Sequence, residues 1–335
     1  MAKSRSAHLV FRGMQGRESA KQRTTSGSDL KERVDKLIKE RAPWLYNGKW
    51  YVGVIKRSLE LLLDYDRTLE RGNRYKDLPL DGIMRELEEL IARKVEISGL
   101  ENLPQDGPVL IVANHPTGIG DGIVLEHVFG KVRKDVRYFA NGDINRVLPQ
   151  FEQIVIPVEW RTQKRSMSAM RKTLEAYKSA YDANALCVIF PSGRIAKRRG
   201  RWLHEREWMA GAATIARKYK VPVVPVNVQA KNSWLFYLFD FLHPTLRDIT
   251  LFYELLNKGK EPFKVTIGAP ISSESLPRNP DDAIKHLQTA TLNLPPEGFA
   301  LEGLLRVSKT PLDPALERRR GYAGAVPSPS PSQGG

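Results

Sequence analysis

The sequence predicts an α/β fold, in which a mixed, largely buried sheet is flanked by helices and follows an N-terminal helical prelude. From residue 95 onward, short apolar runs rich in Val and Ile alternate with segments of helical periodicity. Continuous β-branched runs separated by helices are typical of strands buried on both faces. Seven strands are expected: VEISG (95–99), PVLIVAN (108–114), VRYFA (136–140), QIVIPV (153–158), LCVIF (186–190), VPVVPVNV (221–228) and FKVTIG (263–268).

Helices are expected on both sides of residue 95, where apolar residues recur three and four positions apart. Those between the strands lie at 121–130, 164–183 and 205–219. Those before the strands lie at 29–41, 51–71 and 82–94, and Ser28 is placed to cap the first of them. These assignments predict an N-terminal helical region over 29–94 and an α/β domain over 95–310.

The two ends of the chain are expected to be disordered. Residues 1–28 hold six basic residues against one acidic residue, and residues 311–335 end in the low-complexity run GYAGAVPSPSPSQGG. The first segment lacks the apolar stretch of a secretory signal, and no run approaches the roughly 18 apolar residues of a spanning helix. Cys187 stands alone, which excludes an intrachain disulfide and suits a reducing compartment. We therefore expect a cytoplasmic protein.

The net charge is strongly positive, at +15. Such a field attracts polyanions, which include nucleic acid, anionic lipid and acidic proteins. Residues 194–220 hold nine basic residues against two acidic ones, and another basic group lies between Arg161 and Lys172. Any single Lys or Arg is most simply a solvated surface residue. The clustering beside the motifs below favours a role in binding.

The most informative segment is PVLIVANHPTGIGDGIVLEHVFG, in which a strand leads into a glycine-rich turn and a helix. His115 follows the strand directly, at the carboxyl end where open α/β sheets bind ligands. Asp121 either caps the following helix or turns back onto the imidazole, where it would make His115 a better base. Glycines 118, 120 and 122 would allow a tight bend. A dinucleotide fingerprint is disfavoured, because Ile123 occupies its third glycine position.

A second strand-to-turn segment is ALCVIFPSGRIAKRRGRW. Its turn at Pro191-Ser192-Gly193 and the basic residues after it, Arg194 and Lys197, could present N–H groups and cations to an anion. Ser192 is more simply a turn residue than a nucleophile, since the G-x-S-x-G elbow is absent. Two further segments are QIVIPVEWR, which puts Arg161 just past a strand, and KVPVVPVNV, whose prolines predict an edge, a bulge or a strand start.

The order NHPTGIGDG, VIPVEWR, FPSGR and VPVVPV resembles the four blocks of the glycerolipid acyltransferase family, which includes 1-acylglycerol-3-phosphate and glycerol-3-phosphate acyltransferases. The similarity covers roughly residues 95–270. It implies that His115 is the general base, that Asp121 is its partner, and that Arg161 and Arg194 contact the acceptor's anionic group. Gly193 would shape the loop around that group, with Lys197 adding to its cationic character.

Two departures from the family pattern stand out. His115 and Asp121 are separated by five residues, where the usual first block has four. A longer glycine-rich turn after His-Pro resembles the ornithine-lipid and hemolysin-like subset of the family. In the third block, Ser192 stands where a Glu usually follows the Pro. The missing carboxylate leaves open whether the acceptor is a glycerol phosphate or another anionic lipid precursor.

The resemblance implies acyl transfer from acyl-ACP or acyl-CoA to the hydroxyl of a lysophospholipid-like or glycerol-phosphate-like acceptor in phospholipid biosynthesis. It implies no cofactor. Metal signatures are absent, since His204-Glu205 lacks a correctly spaced second His and the single Cys cannot form a thiolate site. An N-acyltransferase acting on an amino-acid lipid and an inactive binder of anionic lipid or nucleic acid are the alternatives. Nucleic acid is not the expected partner, because no RNA-binding aromatic motif is present.

The aromatic stretch SWLFYLFDFLHP at 233–244 is too short to span a bilayer. It is either a core element or an interfacial segment that enters one leaflet while basic clusters bind anionic headgroups. Together with the net charge, the second interpretation predicts peripheral association with the inner face of the cell membrane.

Overall fold

A computed structural model describes residues 29–159, 166–294 and 306–313. The main sheet has seven strands in the order β1-β9-β8-β2-β5-β3-β4. Neighbours are parallel except β8 and β9, so that β1 and β9 run against the other five. The predicted mixed α/β fold is confirmed. The strands are β1 Val95–Ser98, β2 Val109–Ala113, β3 Val136–Asn141, β4 Val155–Val158, β5 Leu186–Ile189, β8 Val223–Gln229 and β9 Phe263–Ile267.

A small second sheet, which the sequence did not predict, follows β5. It has the order β10-β7-β6, with β6 and β7 antiparallel and β10 parallel to β7. Its strands are β6 Lys197–Arg199, β7 Trp202–His204 and β10 Arg306–Val307. The basic run after the second turn therefore begins as a short hairpin, which fixes the positions of its cations.

Helices cover both faces of the main sheet. The first helical stretch is 29–41, here α1. The others are α2 Trp50–Leu62, α3 Tyr65–Lys76, α4 Leu80–Ile91, α5 Ile119–Phe129, α6 Asp143–Val147, α7 Met167–Asp182, α8 Gly211–Tyr219, α9 Trp234–Leu242, α10 Pro244–Asn257 and α11 Pro280–Leu292. None of the helices in the described part of the chain is long and apolar enough to cross a membrane.

The central strand β2 is buried on both faces, as its continuous apolar run predicts. Ile111 points into a cluster formed with α1, α4 and α5, whereas Leu110 and Val112 point into a second cluster formed with α7, α8 and α11. Because successive side chains of a strand alternate between faces, one strand anchors both layers. This rigid centre carries the turn that holds His115.

Two local predictions differ from the structure, and a third is narrowed. The single helix expected over 51–71 is broken between α2 and α3, where Asp64 has a φ of 52°. The helix expected to begin at residue 205 begins at Gly211. Of the edge, bulge and strand start predicted for Pro225, the structure shows a bulge in the pairing of a central strand. The register there shifts by one residue between the pairs Val226–Ile267 and Val223–Ile271. The missing N–H of Pro225 faces the point where β9 has ended, and its carbonyl accepts from the N–H of Gly268.

Candidate active site

The end of β2 is locked to its neighbour by Asn114. The Asn114 amide donates to the carbonyl of Val228 at 2.8 Å and accepts from its N–H at 2.6 Å. These bonds satisfy a buried polar side chain and fix the strand end against β8. His115 is the next residue, so its position is set by the sheet rather than by a free loop.

His115 and Asp121 meet within the turn that links β2 to α5. Nδ1 of His115 lies 3.0 Å from Oδ2 of Asp121, although the N–H direction at Nδ1 is not aligned for a straight hydrogen bond. Asp121 is fully buried, and it also accepts from the N–H groups of Thr117 and Gly118 at 2.9 and 3.0 Å and from the Thr117 hydroxyl at 2.5 Å. Both alternatives for Asp121 are therefore realised, since it caps α5 and faces the imidazole.

The imidazole of His115 is partly open to solvent, with 18% of its side chain exposed. Phe190, at the end of β5, stacks on it with ring centroids 4.1 Å apart. Because Nδ1 faces Asp121, Nε2 is the ring nitrogen left to meet a substrate. A neutral imidazole oriented by a carboxylate in this way can accept a proton from a hydroxyl.

The second turn lies directly beside the first. The N–H of Ala196 donates to the carbonyl of His115 at 2.8 Å, which joins the two segments. Gly193 has a φ of +59° and is exposed, as is Arg194. Ser192 is buried, and its hydroxyl donates to the carbonyl of Arg194 at 2.9 Å. Ser192 is thus a turn residue, and Gly193 and Arg194 lie in the segment that contacts His115 through Phe190 and Ala196.

Lys197 is the predicted site residue with the clearest alternative role. Its Nζ lies 2.6 Å from Oδ2 of Asp240 on α9, and Asp240 is also contacted by Arg247. Burial lowers the pKa of Lys197, against the opposing effect of Asp240. This lysine joins the small sheet to α9 and is not a free cation. Arg161 lies outside the described residues.

Similar proteins are known for the part of the chain that holds both turns. The profile of the Acyltransferase family matches residues 94–229, which span β2, both turns and β8. The chain is 30% identical over 190 residues to a lyso-glycine lipid O-acyltransferase of Phocaeicola vulgatus. Residues 94–229 are therefore similar to the acyltransferase family, as the four motifs imply. A second lyso-glycine lipid O-acyltransferase, from Bacteroides thetaiotaomicron, is 28% identical over 247 residues.

The relatives are covered to different extents. The matched part is 55% of this chain and 66% of the Phocaeicola protein, slightly under two thirds of that relative. For the Bacteroides protein the shares are 71% and 87%. A crystal structure of the 1-acyl-sn-glycerophosphate acyltransferase from Thermotoga maritima superposes with a TM-score of 0.42 and 17% identity, over 77% of this chain and 94% of that one.

Of the three glycines in the first block, only one has a left-handed conformation. Gly118 has a φ of +88°, and a Cβ there would lie 2.8 Å from Cδ1 of Ile195. Gly120 and Gly122 lie within α5 and have ordinary helical backbone. Gly120 packs closely against Thr117, whereas a Cβ at Gly122 would meet open space. The prediction that all three bend the turn therefore holds for Gly118 and is wrong for Gly120 and Gly122.

Two buried ionisable groups beside the site were missed by sequence reasoning. The carboxyl group of Glu205 contacts the backbone of His115, and burial raises its pKa. Lys258 pairs with Glu254 at 3.0 Å, and its side-chain carbons lie 3.4 Å from the Cβ position of Gly120. Neither residue stands in a motif, so only the folded chain places them here. Among the described residues, no group of three or more His, Cys, Asp or Glu side chains could hold a metal ion.

Proposed function

We propose that this protein is an O-acyltransferase in which His115 is the general base and Asp121 orients it. The observation that carries the proposal is the 3.0 Å approach of Nδ1 to a fully buried carboxylate that three other groups hold in place. An imidazole fixed in this way gains basicity at Nε2 and keeps one tautomer. General-base assistance typically contributes about 10²–10⁴-fold to a rate.

The reaction proceeds by direct transfer. Nε2 of His115 takes the proton from the acceptor's hydroxyl, and the hydroxyl oxygen attacks the thioester carbonyl carbon. The carbon–sulfur bond then breaks, and the leaving thiolate takes the proton back from the imidazolium. The products are an ester and a free thiol. N–H groups at the start of α5 are the candidate donors to the oxyanion, because the first turn of a helix has N–H groups without partners inside the helix.

The donor is acyl-ACP or acyl-CoA, and the acceptor is a lyso-lipid with an anionic headgroup. Exposed Gly193 and Arg194 lie beside His115, where a guanidinium and turn N–H groups suit a phosphate or a carboxylate. Arg161 is proposed as a second cation for that group. Lys197 acts indirectly in this scheme, by anchoring the hairpin through Asp240. The two relatives named for a lyso-glycine lipid make an amino-acid lysolipid the first acceptor to test.

Peripheral attachment to the inner face of the cell membrane is part of the proposal. Apolar side chains project from α2 and α9, including Trp50, which is 82% exposed, and Trp234, which is 73% exposed. Both helices contribute inward-facing side chains to one buried cluster. An apolar surface on a chain with a net charge of +15 suits an anionic leaflet.

The test is acyl transfer by the purified protein. Labelled acyl-ACP and acyl-CoA are each offered with lyso-glycine lipid, lysophosphatidic acid and glycerol 3-phosphate, and products are identified by mass spectrometry. We expect ester formation with at least one lysolipid and a loss of about 10²–10⁴-fold in His115→Ala. His127→Ala is the matched control, because His127 also contacts a carboxylate, Glu88, but lies at the far end of α5.

Three outcomes would contradict the proposal. Wild-type activity in His115→Ala would show that His115 is not the general base. Acylation of an amine but of no hydroxyl would favour an N-acyltransferase. Salt-sensitive binding of anionic vesicles or nucleic acid without any acyl product would favour an inactive binding protein.

A further inference from the structure

Glu205 is a buried carboxyl group placed between the two turns of the site. It lies in the loop between β7 and α8, and it is 1% exposed. No Lys or Arg side chain within residues 29–159, 166–294 and 306–313 is in ion-pair contact with it. A carboxylate buried without a cation is costly unless hydrogen bonds satisfy it. Its partners therefore indicate why it is there.

The hydrogen-bond partners of Glu205 lie in or beside the candidate active site. Oε2 accepts from the backbone N–H of His115 at 2.9 Å, and Oε1 accepts from Nε1–H of Trp208 at 3.2 Å. The carboxyl group also lies against the Ser192 side chain, whose hydroxyl proton goes to the carbonyl of Arg194. One side chain thus connects the residue that bears the imidazole with the turn that bears Arg194. In the family's third block a Glu usually stands where this chain has Ser192, and here a carboxyl group contacts Ser192 from residue 205.

We propose that Glu205 is a positioning residue for His115, and that it supplies from outside the third block the carboxylate that Ser192 does not provide. This inference rests on the proposed acyltransfer function, because it assigns Glu205 a part in the work of His115. Oε1 and Oε2 each accept from an N–H group, and neither of these donors can become an acceptor. An amide in place of the carboxyl group would therefore point its NH₂ at one of the two donors.

The experiment compares Glu205→Gln with Trp208→Phe in the full chain. Trp208→Phe removes the other donor to Glu205 without touching His115. The ring of His115 is observed by NMR with labelled histidine, and its signals are identified among the six histidines by their loss in His115→Gln. We expect Glu205→Gln to move the ring signals of His115, because it disturbs the backbone contact that holds this residue, and Trp208→Phe to leave them near the wild-type positions.

Kinetics provide the second readout. We expect Glu205→Gln to lower kcat by about tenfold or more with a smaller change in KM, since the acceptor site is intact and the base is displaced. In Glu205→Gln/Trp208→Phe the amide no longer opposes the indole N–H, so its oxygen can accept from His115 and part of kcat should return. The inference is overturned if Glu205→Gln matches the wild type in both readouts, or if Trp208→Phe loses as much kcat as Glu205→Gln.

The NMR comparison needs no substrate, so it decides whether Glu205 positions His115 even if the wild type makes no acyl product. Thermal unfolding shows whether each variant is folded. If Glu205→Gln does not fold, Glu205→Asp replaces it, because that variant keeps the carboxyl group but shortens the reach to His115. It should lose kcat, and wild-type kcat in Glu205→Asp would then contradict the inference.

Discussion

The ring of Phe190 lies against the imidazole of His115, with centroids 4.1 Å apart and planes inclined by 26°. The contact comes from two adjacent parallel strands, since Phe190 follows β5 as His115 follows β2. It holds one face of the imidazole while the carboxylate of Asp121 faces Nδ1. The ring therefore keeps one orientation before any substrate arrives, which is the condition for an efficient base.

Removal of the stacked ring should reduce turnover without removing the base. An aromatic pair contributes roughly 0.5–1.5 kcal/mol beyond its buried area, and about 1.4 kcal/mol corresponds to a tenfold change in rate. We expect Phe190→Ala to lower kcat up to about tenfold, Phe190→Leu to lower it less, and Phe190→Tyr to stay near the wild type. Steady-state acyl transfer by the four proteins tests this order. Equal rates in Phe190→Ala and the wild type would show that the stack is dispensable.

The glycines of the first block should differ sharply in their tolerance of Ala. At Gly118 an added methyl group meets Ile195 in a backbone conformation that disfavours Ala, so we expect Gly118→Ala to lose activity and about 1–3 kcal/mol of stability. Gly122 is helical and faces open space, so Gly122→Ala should be neutral or up to about 1 kcal/mol more stable. Urea unfolding measures both. A similar loss of stability in the two variants would contradict the difference in backbone conformation and packing between Gly118 and Gly122.

Glu126 on α5 should make stability depend on pH. Burial raises the pKa of Glu126 above its ordinary value of 4.5, the hydrogen bond from Tyr138 opposes this, and nearby Glu88 adds to it. The folded chain therefore holds this proton to higher pH than the unfolded chain does. The free energy of unfolding consequently falls as the pH rises from 4.5 through the raised pKa.

The matched variant is Glu126→Gln, which cannot titrate but keeps an acceptor for Tyr138. Relative to the wild type, its free energy of unfolding should increase as the pH rises from 4.5 towards neutrality. Urea titrations at several pH values measure the difference. A difference that is constant with pH would show that Glu126 titrates alike in both states.

The exposed face of α9 should contribute to membrane attachment. Trp234→Ala/Phe241→Ala removes two large exposed side chains from this helix, and burial of one such side chain is worth about 1.5–3 kcal/mol. We expect partitioning onto vesicles with anionic lipid to weaken about tenfold or more. Met167→Ala/Met170→Ala is the control, because these residues are exposed on α7. Vesicle sedimentation with and without salt provides the measurement. An equal loss of vesicle binding in both double variants would contradict a specific role for the exposed face of α9.

Much of the fold could be predicted because its signals are local. All seven strands of the main sheet were predicted within a few residues, since a run such as β2 is apolar on both faces and bounded by turn residues. The approach of Asp121 to His115 was also accessible, because five intervening residues and the start of a helix limit where the carboxylate can go.

The rest depends on contacts between distant residues. Glu205 reaches His115 across 90 positions, and Lys197 meets Asp240 across 43. No periodicity or motif encodes either pair. The missing N–H of Pro225 predicted an edge, a bulge or a strand start, and only the pairing of β8 with the chain at and after β9 selects the bulge. Such outcomes follow from which strands become neighbours, a property of the whole chain.

The carboxylate of Asp121 closes the first turn of α5 with the same oxygen that faces His115. Catalytic residues often destabilise a fold, so that replacing them yields a more stable protein. At this position the same carboxylate serves both stability and catalysis, so selection for stability alone would conserve Asp121. In a homologue that has lost its activity, we would therefore expect His115 to be replaced before Asp121.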